Sequence, residues 1–181
     1  MNIEEYLNDL INREGGYSNN PKDKGGATKY GITEAVARAN GYKGEMRNLT
    51  VDFAKSIYKT TYWTAPRFDR VNLINSKIAE ELLDTGVNCG VAFAKPLLQR
   101  ALNLCNQQGE AGYADLSVDG VYGPATLNAL KIYLTKRGKD GETILLKVLN
   151  ILQGARYIEI TERNPSQETF FNGWILNRIV I

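Results

Sequence analysis

The chain has 181 residues, 43% of them hydrophobic, enough for one compact domain or two small lobes sharing a core. Lys and Arg total 22 against 20 for Asp and Glu, and the small excess lies in the second half, so the charge has no nucleic-acid footprint. There is no histidine, which removes Ser-His-Asp and Cys-His catalysis and HExxH zinc sites and leaves carboxylates as the leading acid–base groups.

From the N-terminus, "MNIEEYLNDL" contains no apolar run like a signal peptide. Ile3, Tyr6, Leu7, Leu10 and Ile11 follow the i, i+3, i+4, i+7, i+8 pattern of a helix with one buried face, and Glu14 continues that face. Gly15 and Gly16 stop the helix. Asp23 to Ile32 reads as one short β-hairpin turned at Gly25–Gly26, and the rest of the chain is helical.

Thr33 caps a helix running to about Asn40, and Thr50 caps another that buries Phe53, Ala54, Ile57 and Tyr58. "IAEELLDTGVNCG" and "KPLLQRALNLCNQ" are two helices meeting near Gly90 to Pro96, followed by a loop over Gly109 to Ser117. Pro124 stands at a first helical position, a further helical pattern runs from Glu142 to Arg163 before Asn164–Pro165, and a last helix covers Gln167 to Ile179. No window reaches the length of a membrane span, so stable membrane insertion is not expected. Cys89 and Cys105 lie in apolar helical patterns with no paired-ligand spacing, as reduced core residues do; no metal or other cofactor is expected.

The stretch "EGGYSNNPKDKGGATKYGI" reads either as an ordinary surface loop or as the floor of an active site. Glu14, at a helix end beside Leu10 and Ile11, suits a carboxylic acid that donates a proton to a leaving oxygen. Asp23, among Asn19, Asn20 and Lys24, suits an ionised partner, and Thr28 suits a holder of the attacking water. Two carboxyls in unlike settings are what glycosidases use, whereas a helix end and a turn aspartate also occur in plain surface loops. Tyr17 and Tyr30 flank the two carboxyls as candidate sugar contacts. Tyr62 and Trp63 read as sugar-stacking rings or core anchors, and Asp84 and Asn88, one helical turn apart, as cleft residues or internal hydrogen-bonding groups.

"REGGYSNNPKDKGGATKYGIT" resembles the signature of glycoside hydrolase family 108, the N-acetylmuramidases of many bacteriophages and prophages, in which the glutamate of Glu-Gly-Gly-Tyr is catalytic. "IYKTTYW" and "LLDTGVNCG" continue that resemblance, while "LLQRALN", "DGVYGPATLNAL" and "FFNGWILNR" are similar to the peptidoglycan-binding segment usually joined to it. The spacing of Glu14, Asp23 and Thr28 is also similar to the Glu-Asp-Thr triad of T-even phage lysozymes, an inverting type, with the threonine one residue closer. The resemblance implies a mainly α, lysozyme-like fold with a catalytic lobe over residues 1–91 and a helical peptidoglycan-binding lobe over 92–181, packed together without a linker. It further implies an endolysin that hydrolyses the β-1,4 bond between N-acetylmuramic acid and N-acetylglucosamine, the alternatives being a lytic transglycosylase on the same bond or a non-catalytic wall-binding protein. Glu14, Asp23 and Thr28 would be catalytic, and Tyr17, Tyr30, Trp63 and Asn88 would bind substrate. The expected partner is the peptidoglycan glycan strand, met by a monomer that accumulates in the host cytoplasm and reaches the periplasm through a holin pore.

Overall fold

The computed structural model describes residues 1–19 and 27–180. They fall into two compact units, Met1–Trp63 and Thr64–Ile181.

In the first unit, α1 (Ile3–Glu14) starts where the Asn2 side chain accepts the Glu4 N–H at 3.1 Å. Three two-residue strands follow, β1 (Tyr17–Ser18), β2 (Thr28–Lys29) and β3 (Ile32–Thr33), in one antiparallel sheet of order β1-β2-β3. Tyr17 pairs with Lys29 and Ser18 with Thr28; across the sheet Thr28 pairs with Thr33 and Lys29 with Ile32. β2 and β3 are joined by Tyr30 and Gly31 at φ 53° and 73°, positive at both positions as a type I′ turn requires. The turn expected at Gly25–Gly26 lies outside the described residues; a described hairpin turns at Tyr30–Gly31. β1 escapes sequence reading because two residues are too few to show alternation.

The two threonine caps form as expected. Thr33 accepts the Val36 N–H at 3.4 Å to open α2 (Glu34–Ala39), and Thr50 accepts that of Phe53 at 3.2 Å to open α3 (Val51–Tyr58). α3 runs on into a wider π-helical segment, Lys59–Thr64. α1 packs on α3, with Leu7, Leu10, Ile11, Ala54, Ile57 and Tyr58 all buried. Each buried leucine-sized side chain is worth about 2 kcal/mol, more than the exposed Lys59–Glu4 ion pair at 2.7 Å, for which such pairs typically give less than about 1 kcal/mol.

The second unit contains α4 (Phe68–Asn72), α5 (Ser76–Cys89), α6 (Val91–Ala94), α7 (Leu97–Leu104), α8 (Pro124–Arg163) and α9 (Glu168–Arg178). α5 packs on α4, α6 and α8, and α7 and α9 pack on α8. Pro124 opens α8 and Arg163 closes it, while Gly138 at φ 57° and ψ −134° breaks it midway. Phe68, Leu82, Leu98, Leu102, Tyr122 and Leu130 fill the core.

The loop ahead of α8 is held by one buried side chain, Gln99 of α7. Its Nε2 donates to Asp119 Oδ1 at 2.8 Å, Thr126 Oγ1 at 3.1 Å and the Val121 carbonyl at 3.2 Å, and its Oε1 accepts the Gly120 N–H at 2.7 Å. The Gln99 amide, followed by the Val121 N–H, holds the Asp119 carboxyl below the usual aspartate range. "LLQRALN" and "DGVYGPATLNAL" are thus two halves of one interlocked structure. The architecture is mainly α with one small antiparallel sheet, in the lysozyme-like class.

Candidate active site

α1 ends at Glu14 because Gly15 follows at φ 79° and ψ −168°, a region open essentially to glycine alone. At Gly16 no described residue stands where a side chain would go. Leu10 and Ile11 are buried, but Glu14 is exposed, as is every residue from Asn12 to Asn19. The expectation that Glu14 shares the buried face is corrected: it is exposed and lies past the edge of the core.

The carboxyl group has defined neighbours. A Cβ placed on Gly31 would lie 2.8 Å from Glu14 Oε2 and would collide with the Tyr58 hydroxyl. The Glu14 carboxyl, the Tyr30–Gly31 turn and the Tyr58 hydroxyl therefore converge, and only a residue without a side chain fits between them. Tyr58 donates to the Tyr30 carbonyl at 3.0 Å, and its ring stacks on Tyr62 with centroids 5.7 Å apart. Burial first, then the nearby Glu14 charge, pushes both hydroxyls above the ordinary tyrosine range, so both remain neutral near pH 7. An exposed carboxyl backed by neutral phenols is open to an incoming leaving-group oxygen, which is the access a general acid needs.

The remaining sequence-predicted residues are distributed unevenly. Tyr17 is exposed on β1, with the Arg47 guanidinium 5.9 Å from its ring centre. Tyr30 is half-buried beneath the Lys29 ammonium at 5.1 Å, and Lys29 also donates to the Arg47 carbonyl at 2.6 Å. Thr28 is half-buried on β2, opposite Ser18 and Thr33. Asp23 lies outside the described residues. Trp63 is 5% exposed and is a core side chain in this structure.

Asn88 belongs to the second unit, where its Nδ2 donates to the Asp84 carbonyl at 2.7 Å. The Asp84 carboxylate accepts from Gln153 Nε2 at 3.1 Å and pairs with Arg178. Beside it, burial first and Asp84 second push Glu81 up to about 7. Two residues at the Glu14 carboxyl, Tyr58 and Gly31, have no place among the sequence candidates. Tyr58 sits inside "IYKTTYW", where its helical spacing marks it as core, and Gly31 is signalled only by the Tyr-Gly pair of a two-residue turn.

The mainly α fold with its small antiparallel sheet is lysozyme-like, and Glu14 stands exposed at a helix end within it. Residues 7–90 match the family model of glycosyl hydrolase 108. Residues 93–179 match the model of a predicted peptidoglycan domain. Among solved structures the chain is similar to SagA of Brucella abortus, at 27% identity over 95% of this chain and 86% of that one, with a TM-score of 0.63. No curated protein matches it. The chain thus joins a segment matched to a glycosyl hydrolase model, which contains Glu14, to a segment matched to a predicted peptidoglycan domain.

Proposed function

We propose that the protein is a muramidase, hydrolysing the β-1,4 bond between N-acetylmuramic acid and N-acetylglucosamine, and that it serves a phage or prophage as an endolysin. The observation that carries this reading is the convergence of the exposed Glu14 carboxyl with the Tyr30–Gly31 turn and the Tyr58 hydroxyl, inside the segment matched to the hydrolase family. Glu14 gives its proton to the departing glycosidic oxygen as the bond breaks. Asp23 takes a proton from a water held by Thr28, and that water attacks the anomeric carbon from the other face, inverting it. Tyr17 and Tyr30 line the approach to the sugar, and residues 92–181 hold the polymer. The enzyme accumulates in the host cytoplasm and meets its substrate once a holin opens the membrane.

Zymography on purified peptidoglycan tests the assignment. The wild-type chain should clear the gel and a folded Glu14→Gln chain should not; equal clearing by both removes Glu14 from the reaction. Proton NMR of the nascent reducing end tests the stereochemistry, because an initial β-anomer means retention and removes Asp23 as the base.

A further inference from the structure

The second unit contains a cavity of about 380 Å³ between the α4 region and the start of α8, lined in part by Arg67, Asp69, Arg70, Tyr122, Pro124 and Leu127. Its volume lies within the range of small-ligand sites. Arg67 precedes α4 with a left-handed backbone, φ 64°, and its guanidinium has no ion-pair or hydrogen-bond partner among the described residues. Among the described residues Arg70 pairs only with its neighbour Asp69, at 3.6 Å, with most of its side chain exposed. The other oxygen of that carboxylate, Asp69 Oδ1, is buried without a hydrogen-bond partner among the described residues. A buried acceptor left unmade is costly, and a ligand N–H would relieve it. Across the cavity, α8 begins at Pro124 with no side-chain cap from Gly123, so its first N–H groups add to the positive field of the two arginines. The buried Tyr122 and the half-buried Leu127 supply an apolar floor.

The cavity thus offers two guanidiniums to an anion, one carboxylate oxygen to an N–H donor, and an apolar wall to aliphatic groups. Glycan hydroxyls and acetamides bring no charge to the two guanidiniums, whereas an acidic peptide supplies a carboxylate, N–H donors and aliphatic groups together. We propose that the cavity binds the carboxylate-bearing peptide stems of peptidoglycan, so that the second unit reads the peptide while the Glu14 site reads the sugar. This rests on peptidoglycan being the polymer the protein acts on, but not on the muramidase assignment.

The test uses the full-length chain with Glu14→Gln, so that the substrate stays intact, and measures binding to purified sacculi before and after an amidase strips the stems. Binding to intact sacculi should be on the order of tenfold tighter than to stripped glycan, the worth of about one charge-assisted contact. Adding Arg67→Ala and Arg70→Ala should erase that preference while leaving the thermal midpoint unchanged. A synthetic stem tetrapeptide should compete, and inorganic phosphate at the same concentration should not. Equal binding to intact and stripped sacculi, a preference that survives the arginine substitutions, or equal competition by phosphate would overturn the proposal. If stem-dependent binding is found in a wild-type chain that hydrolyses nothing, only the muramidase assignment fails.

Discussion

Two glycine-bearing acidic segments, Glu14–Gly16 in the first unit and Asp119–Gly123 in the second, look alike as sequence: each is a carboxylate followed by glycine at the edge of a helix. Their polar groups meet opposite fates. Asp119 is held by Gln99 and by the Val121 N–H at 2.8 Å, and the loop around it is closed by a buried amide. Glu14 has no hydrogen-bond or ion-pair partner among the described residues and stays exposed, although the Tyr58 hydroxyl and Gly31 stand beside it. A carboxylate whose hydrogen bonds are already made holds a fold together, whereas one left open among fixed neighbours is available for proton transfer.

Substituting the two carboxylates is the strongest way to break that contrast. Glu14→Gln should lower peptidoglycan cleavage on the order of 10² to 10⁴-fold with unchanged circular dichroism, while Asp119→Asn should leave the turnover of folded enzyme unchanged. A smaller loss is expected from Gly31→Ala, since a methyl group there meets both Glu14 Oε2 and the Tyr58 hydroxyl at φ 73°. Displacing the acid in this way should cost up to roughly a hundredfold in turnover, and left-handed alanine about 1 to 2 kcal/mol in stability, read by kinetics and urea unfolding.

On the structural side, Gln99→Leu leaves Asp119, Thr126 and the Gly120 N–H without their buried partner. Urea unfolding should show a loss of about 2 kcal/mol, with turnover per folded molecule intact. The smallest effect concerns Glu81, raised from 4.5 to about 7 in the folded chain. Because the folded state holds this proton more tightly than the unfolded one, stability should fall as pH rises from about 4.5 to about 7 and level off above. Glu81→Gln should flatten that slope and stabilise the chain by about 1 to 2 kcal/mol at pH 8, measured as thermal midpoints across pH.

The features legible in the sequence are those fixed by adjacent residues. Thr33, Thr50 and Pro124 start their helices, Gly15 ends α1 and Asn164–Pro165 ends α8, each through a local steric or capping rule. Features that depend on distant chain are the ones missed. β1 exists only because β2 lies beside it, the π-helical segment at Lys59–Thr64 has no periodicity of its own, and α4 is a five-residue helix between turns. At the candidate site the same division holds. Glu14 is visible in its motif, but the approach of Tyr58 and Gly31 to it joins residues far apart in sequence, and Trp63, equally legible as a stacking ring or a core anchor, is buried. Gln99 likewise reads as one polar residue in an apolar helix until its four partners are seen.

The central claim, that the open carboxylate at the end of α1 drives hydrolysis of the glycan, is tested most directly by the mass of the products. Purified peptidoglycan digested with the wild-type chain should release muropeptides whose muramic acid ends are reducing and one water heavier than the anhydro form, and the Glu14→Gln chain should release none. Muropeptides ending in 1,6-anhydro-muramic acid, or the same reducing products from the Glu14→Gln chain, would contradict the account.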